Sequence, residues 1–148
     1  MIADTISQKI AEAMKAHDEI RLSTLKLLSS AFNYEKIAKQ HELTEDEELV
    51  VVRRQAKERK EAAESYKNAG HPDRAEKEEK ELAILQEFLP PEMGDEEISK
   101  IVDKAITETG ATTMSDIGKV MGVVMAKTKG AVDGGKVSGL VKAKLGQK

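Results

Sequence analysis

The sequence has no cysteine, no tryptophan, three prolines and only four aromatic residues, Phe32, Tyr34, Tyr66 and Phe88. Without cysteine, disulfides, thiolate nucleophiles and cysteine-based metal sites are excluded. The aromatic share of 3% argues against a β-sandwich or barrel, which draws on aromatic and β-branched side chains. No stretch approaches the ~18 consecutive apolar residues that mark a membrane span. The start, Met1-Ile-Ala-Asp-Thr5, has no basic region ahead of an apolar run, so no secretory leader and no membrane contact are read, and a soluble, cytoplasmic protein is expected. His17, His41 and His71 stand far apart, and no metal site is predicted from them. Gly134-Gly135 follows no strand and lacks the spaced Lys-Ser/Thr of a nucleotide loop. No catalytic centre and no cofactor are predicted. Ser23 and Thr24 are expected to bond back to the preceding helical turn rather than act as nucleophiles. The chain is also read as having no internal repeat.

What is present favours helix. Charged residues make up 34% of the chain, and Ala, Glu, Lys, Leu and Met dominate. The predicted fold is all-α: an N-terminal bundle or hairpin of long helices (1–91), then a small three-helix domain (92–148). Its core must rest on aliphatic side chains, each worth about 1.5–3 kcal/mol when buried. Ile2, Ile6, Ile10 and Met14 predict one apolar face over 4–17. Asp18 caps a second helix over 19–40, with Leu22, Leu25, Leu28 and Phe32 on one face, widened by Leu27 and Ile37. Thr44-Glu-Asp-Glu47 is a capping box that opens a third helix over 45–69. Its expected buried stripe is Leu49, Val52, Ala56, Ala63 and Tyr66. Its basic cluster, Arg53, Arg54, Lys57, Arg59 and Lys60, is read as a face paired to Glu58, Glu61 and Glu64. Pro72 starts a fourth helix, whose charged first half is expected to project from the body. Leu89-Pro90-Pro91 with Gly94 marks the border.

Beyond it, helices are predicted over 95–109, from the Thr113…Asp116 box to about 128, and from Asp133 onward. Gly118 and Gly122, four apart inside the middle helix, each cost about 1 kcal/mol relative to Ala and are read as packing positions. Charge is uneven along the chain: +1 over 1–40, −9 over 41–97 and +5 over 98–148. A basic end on an acidic body points to a polyanion met at that end. Lys119, Lys127, Lys129, Lys136 and Lys142 are the candidate phosphate contacts, with Lys144 nearby, and Gly134 and Gly135 form a candidate phosphate-binding turn at a helix start. The basic stretch has no aromatic residue, which disfavours base stacking and favours a double-helical RNA backbone.

Several motifs occur together: Arg21-Leu-Ser-Thr-Leu-Lys-Leu-Leu28, Leu43-Thr44, Arg59-Lys-Glu-Ala-Ala63, Phe88-Leu-Pro90, Gly110-Ala111, Gly118 to Gly130, and Asp133-Gly134 with Val137 to Lys142. In this order and spacing the chain resembles the GatB/YqeY family along its whole length. The resemblance implies two helical domains. The second is similar to the tail of the B subunit of tRNA-dependent amidotransferases, which contacts the tRNA body away from the chemistry. It implies tRNA or another structured RNA as partner, and an amidotransferase or aminoacyl-tRNA synthetase as associate. It points to Lys119, Lys127, Lys129 and Lys136 as phosphate contacts. Ala126 and Ala131 stand where many relatives carry Pro and Arg. A glutamine-dependent amidotransferase activity also attaches to the family, although no residue here matches its catalytic parts; a further alternative is a protein-binding scaffold, with the long acidic helical body and its thin apolar stripe as the contact surface.

Overall fold

The computed structural model describes residues 1–128 and 131–146. The regular elements among them are helical: α1 (Ile2–Lys15), α2 (Glu19–Lys39), α3 (Glu45–Asn68), α4 (Pro72–Gln86), α5 (Asp95–Thr109), a 3₁₀ turn (Met114–Asp116), α6 (Ile117–Thr128) and α7 (Gly134–Gly146). The all-α expectation holds. The chain divides into two compact units, Met1–Leu89 and Pro90–Lys148.

In the first unit the helix starts follow local chemistry. Asp18 accepts the N–H of Arg21 at 3.0 Å and caps α2. Thr44 and Glu47 form the reciprocal box at the start of α3, which ties off two otherwise unpaired backbone donors. Glu47 is held below the usual carboxylate range, foremost by the Thr44 amide and then by Lys39. α1 has no side-chain cap of its own residues. Its first amides, those of Ile2 and Ala3, instead donate to the carboxylate of Glu48 on α3, at 2.8 and 3.2 Å. Glu48 is wholly buried. The core of this unit gathers Ile6, Leu28, Phe32, Leu43, Val51, Val52, Ala56 and Leu85.

Three expectations about faces are corrected. Leu27, Ile37 and Met14 are exposed, at 50%, 72% and 55%: the buried residues are Thr24, Leu25, Leu28 and Phe32 on α2 and Ile6 and Ala13 on α1. The buried stripe of α3 includes Glu48 and Val51 rather than Leu49 and Tyr66, which are half-buried. α4 packs against α3 along its length instead of projecting, with Ala75, Glu81 and Leu85 all buried. That packing recruits charge. Arg59 of α3 lies 2.8 Å from Glu81 and 3.7 Å from Glu78 on α4, and Arg54 reaches Glu35 on α2 at 2.9 Å. Of the pairs expected within α3, the structure brings Lys57 and Glu61 together, at 3.9 Å. Arg21 donates to both carboxylate oxygens of Glu87 (3.2 and 2.9 Å), joining the start of α2 to the end of α4.

The second unit has its own core. Val102, Val120, Val124, Val137 and Val141 have no exposed surface, and Ile98, Ala105, Ile106, Ala111 and Leu145 complete the cluster. α5 ends at Gly110, whose φ of 65° lies in the left-handed region that glycine enters without steric cost.

Candidate nucleic-acid interface

The start of α6 is fixed by Asp116. Its carboxylate accepts the amides of Thr112 and Thr113 at 3.1 and 3.3 Å, and these two bonds above all hold its pKa below the usual range. From this anchor α6 turns Val120, Val124 and Thr128 inward and leaves Gly118, Lys119, Gly122, Ala126 and Lys127 exposed. α7 turns Val137, Val141 and Leu145 inward and leaves Gly135, Lys136, Gly139 and Ala143 exposed, with Lys144 half-buried.

The two helices are a repeat, contrary to the expectation that the chain has none. Gly118–Thr128 reads G-K-V-M-G-V-V-M-A-K-T, and Gly135–Leu145 reads G-K-V-S-G-L-V-K-A-K-L, identical at seven of eleven positions. The matched valines are buried in both copies, and the matched Gly-Gly-Ala triplets lie on the outer face of both. The packing expectation for Gly118 and Gly122 therefore fails. A Cβ added at either would meet no atom within 4 Å. Each helix presents small residues outward, with Gly135 alone facing a side chain, the Asp133 carboxylate, and each has a lysine next to its first glycine and another next to its alanine.

Comparison with known proteins settles the family: the Yqey-like protein family matches residues 3–145. The chain belongs to that family. It is similar to altered inheritance of mitochondria protein 41, described as mitochondrial, of Pyrenophora tritici-repentis, with 30% identity over the whole chain and 83% of that protein. It is also similar to an uncharacterised protein of Schizosaccharomyces pombe, with 34% identity over 57% of this chain and 69% of that one.

In this Yqey-like protein the candidate lysines differ in their surroundings. Lys127 donates to Glu108 at 2.6 Å, and Lys144 donates to Asp103 at 2.7 Å. Lys136 pairs with Asp95, a bond that raises its pKa. All three acids belong to α5. Lys119 and Lys142 are exposed and hold no α5 carboxylate among the described residues, although Lys119 lies near enough to Asp116 to help lower its pKa. Lys129 lies outside the described residues. At the candidate turn, Asp133 accepts the N–H of Gly135 at 3.0 Å, so a phosphate there would compete with a carboxylate. Gly134 is half-buried.

Sequence reasoning missed the α5 carboxylates. Asp103 and Lys144 are 41 residues apart, and no short-range pattern signals the pair. It also counted the basic end from residue 98. The compact unit begins at Pro90 and so includes Glu92, Asp95, Glu96 and Glu97, which leaves nine bases against eight acids, a net +1. Among the described residues no group of three or more His, Asp or Glu is placed to hold a metal ion, and no helix is long and apolar enough to cross a membrane.

Proposed function

We propose that this Yqey-like protein binds structured RNA, tRNA foremost, through the outer faces of α6 and α7. It would serve as an accessory to an amidotransferase or aminoacyl-tRNA synthetase and carry no catalytic centre of its own. The observation that carries the reading is the repeat: two helices place lysines beside exposed small residues at matched positions, and three of the four matched lysines are exposed. Ammonium groups hold phosphates without reading bases, and a surface free of bulky side chains allows a duplex backbone to come close. The absence of aromatics from Asp116–Leu145 favours a folded RNA over a single strand. The reading places the protein where tRNA is found. The cytoplasm meets that condition, and so does the mitochondrion named for the Pyrenophora relative.

The other reading, an enzyme component that transfers amide nitrogen from glutamine, has less support. The hydroxyls of Ser23 and Thr24 both donate to the carbonyl of Ile20, at 3.1 and 2.8 Å, as back-bonded helix hydroxyls do.

Titration of labelled tRNA at two salt concentrations tests the proposal, with Lys119→Glu and Lys142→Glu as variants. Each lost contact should reduce the salt slope by about 0.7–0.9. Binding absent at low salt, or indifferent to both substitutions, overturns it. Glutamate released from glutamine by the pure protein, with ATP and mischarged tRNA, would favour the enzymatic reading.

A further inference from the structure

We infer that α5 is a built-in competitor for the RNA phosphates: its carboxylates occupy the lysines of the repeated helices and set how tightly the face binds. The inference rests on the RNA-binding reading above. It comes from a coincidence of partners. Three lysines of the repeat, Lys127, Lys136 and Lys144, each pair with an acid, and all three acids lie on one helix. Lys127 and Lys144 occupy the same repeat position, and both are held by α5.

These pairs are suited to exchange. The carboxylate side chains of Asp95, Asp103 and Glu108 are 74%, 62% and 55% exposed, and an ion pair this open to water contributes little to the fold. A phosphate oxygen offers the ammonium the same charge-assisted hydrogen bond that the carboxylate does. Binding at Lys127, Lys136 or Lys144 is therefore a swap of one anion for another, with the displaced carboxylate returning to water. Lys119 and Lys142 need no such swap. They make the first contacts, and the paired lysines join only when a phosphate array outcompetes α5. A flexible or sparsely charged anion gains two contacts, whereas a rigid array of phosphates spanning both helices gains five.

The test uses the full chain and two double variants of equal charge change. Asp103→Asn/Glu108→Gln releases Lys144 and Lys127. Glu96→Gln/Glu97→Gln removes two exposed acids of the same helix that hold no lysine among the described residues. Circular dichroism checks that each stays folded. The probes are bulk tRNA and inorganic polyphosphate, each at low and moderate salt.

The releasing variant is expected to bind tRNA on the order of tenfold more tightly at low salt, with a steeper salt slope by about 0.7–0.9 per freed lysine. The control should shift much less. If wild type binds tRNA and the two variants shift equally, bulk charge explains the effect and α5 is no competitor. If wild type binds and the releasing variant does not tighten, the inference falls while the RNA reading stands. Tightening toward polyphosphate without tRNA binding by any form keeps the competition and overturns the RNA reading. Binding of neither probe by any form overturns both.

Discussion

Glu48 has none of its surface exposed, and its carboxylate holds the start of α1. A buried carboxylate is costly unless its oxygens are satisfied. Here both are, by the two amides that α1 cannot satisfy within itself. Glu48→Ala should lower the free energy of unfolding by about 2–3 kcal/mol, since hydrogen bonds to a charged group are worth more than neutral ones. Glu48→Gln, which keeps one acceptor, should lose less. Urea denaturation measures both, and amide exchange should quicken first in α1; an unchanged Glu48→Ala melt would refute the assignment. Glu78 has the opposite problem. Burial first, and the neighbouring Glu81 second, raise its pKa despite Arg59, and its Oε2 is buried without a hydrogen-bond partner. A carboxyl whose folded pKa lies above its unfolded value is favoured by folding only while protonated. Its contribution is complete below the unfolded pKa and is lost as pH rises through the folded one. Glu78→Gln should therefore raise the thermal midpoint at neutral pH, with the gain vanishing as pH falls through the acid range. A gain that persists unchanged at low pH would point to another cause.

At the scale of elements, most helix starts were legible in the sequence; that of α1 was not, since it begins at Ile2 without a side-chain cap of its own, and the buried faces were only partly so. Asp18, and Thr44 with Glu47, act within three residues of themselves and cap as their spacing implies, while at Thr113 it is the Asp116 carboxylate that takes the backbone amides. Glu48, Arg59 and Glu81 defeat a hydrophobic pattern because their partners lie on other helices. The candidate site divides the same way. Lys119, Lys127, Lys136 and Lys142 were readable as a basic stretch, but which of them are engaged depends on α5. The glycines of α6 were readable as unusual, though not as outward-facing. Gly122 lies in the interior of α6 and Gly118 in its first turn, both with open space where a side chain would be, so their cost in helix propensity is not offset by closer packing. Gly118→Ala/Gly122→Ala should stabilise the protein, by about 1 kcal/mol at Gly122 and by less at Gly118 in the first turn. If the face meets RNA backbone, the same variant should bind tRNA more weakly while melting later. A variant that gains stability and keeps full affinity would remove the glycines from the interface and leave the lysines alone in it.

At the scale of the molecule, the net charge of −3 conceals two units of different character. Met1–Leu89 carries 15 bases and 19 acids, a net −4, while Pro90–Lys148 carries a net +1. The excess acid therefore belongs to the unit without the repeat. The proposed binding surface lies within the second unit, whose own charges include the α5 carboxylates. That unit has a closed core of five wholly buried valines with Ile98, Val102's neighbours Ala105 and Ile106, and Leu145 around them. A chain of its length rarely draws more than about 3–5 kcal/mol from one core, which suffices to fold. A fragment spanning Pro90–Lys148 should be helical, melt cooperatively and bind tRNA with a salt slope close to that of the full chain. Met1–Leu89 should fold around its own core and show no tRNA binding at any salt concentration. Circular dichroism melts and titration of labelled tRNA read both properties. Binding that needs both units would move the interface away from the repeat, because α6 and α7 and all three paired acids of α5 are present in the shorter fragment.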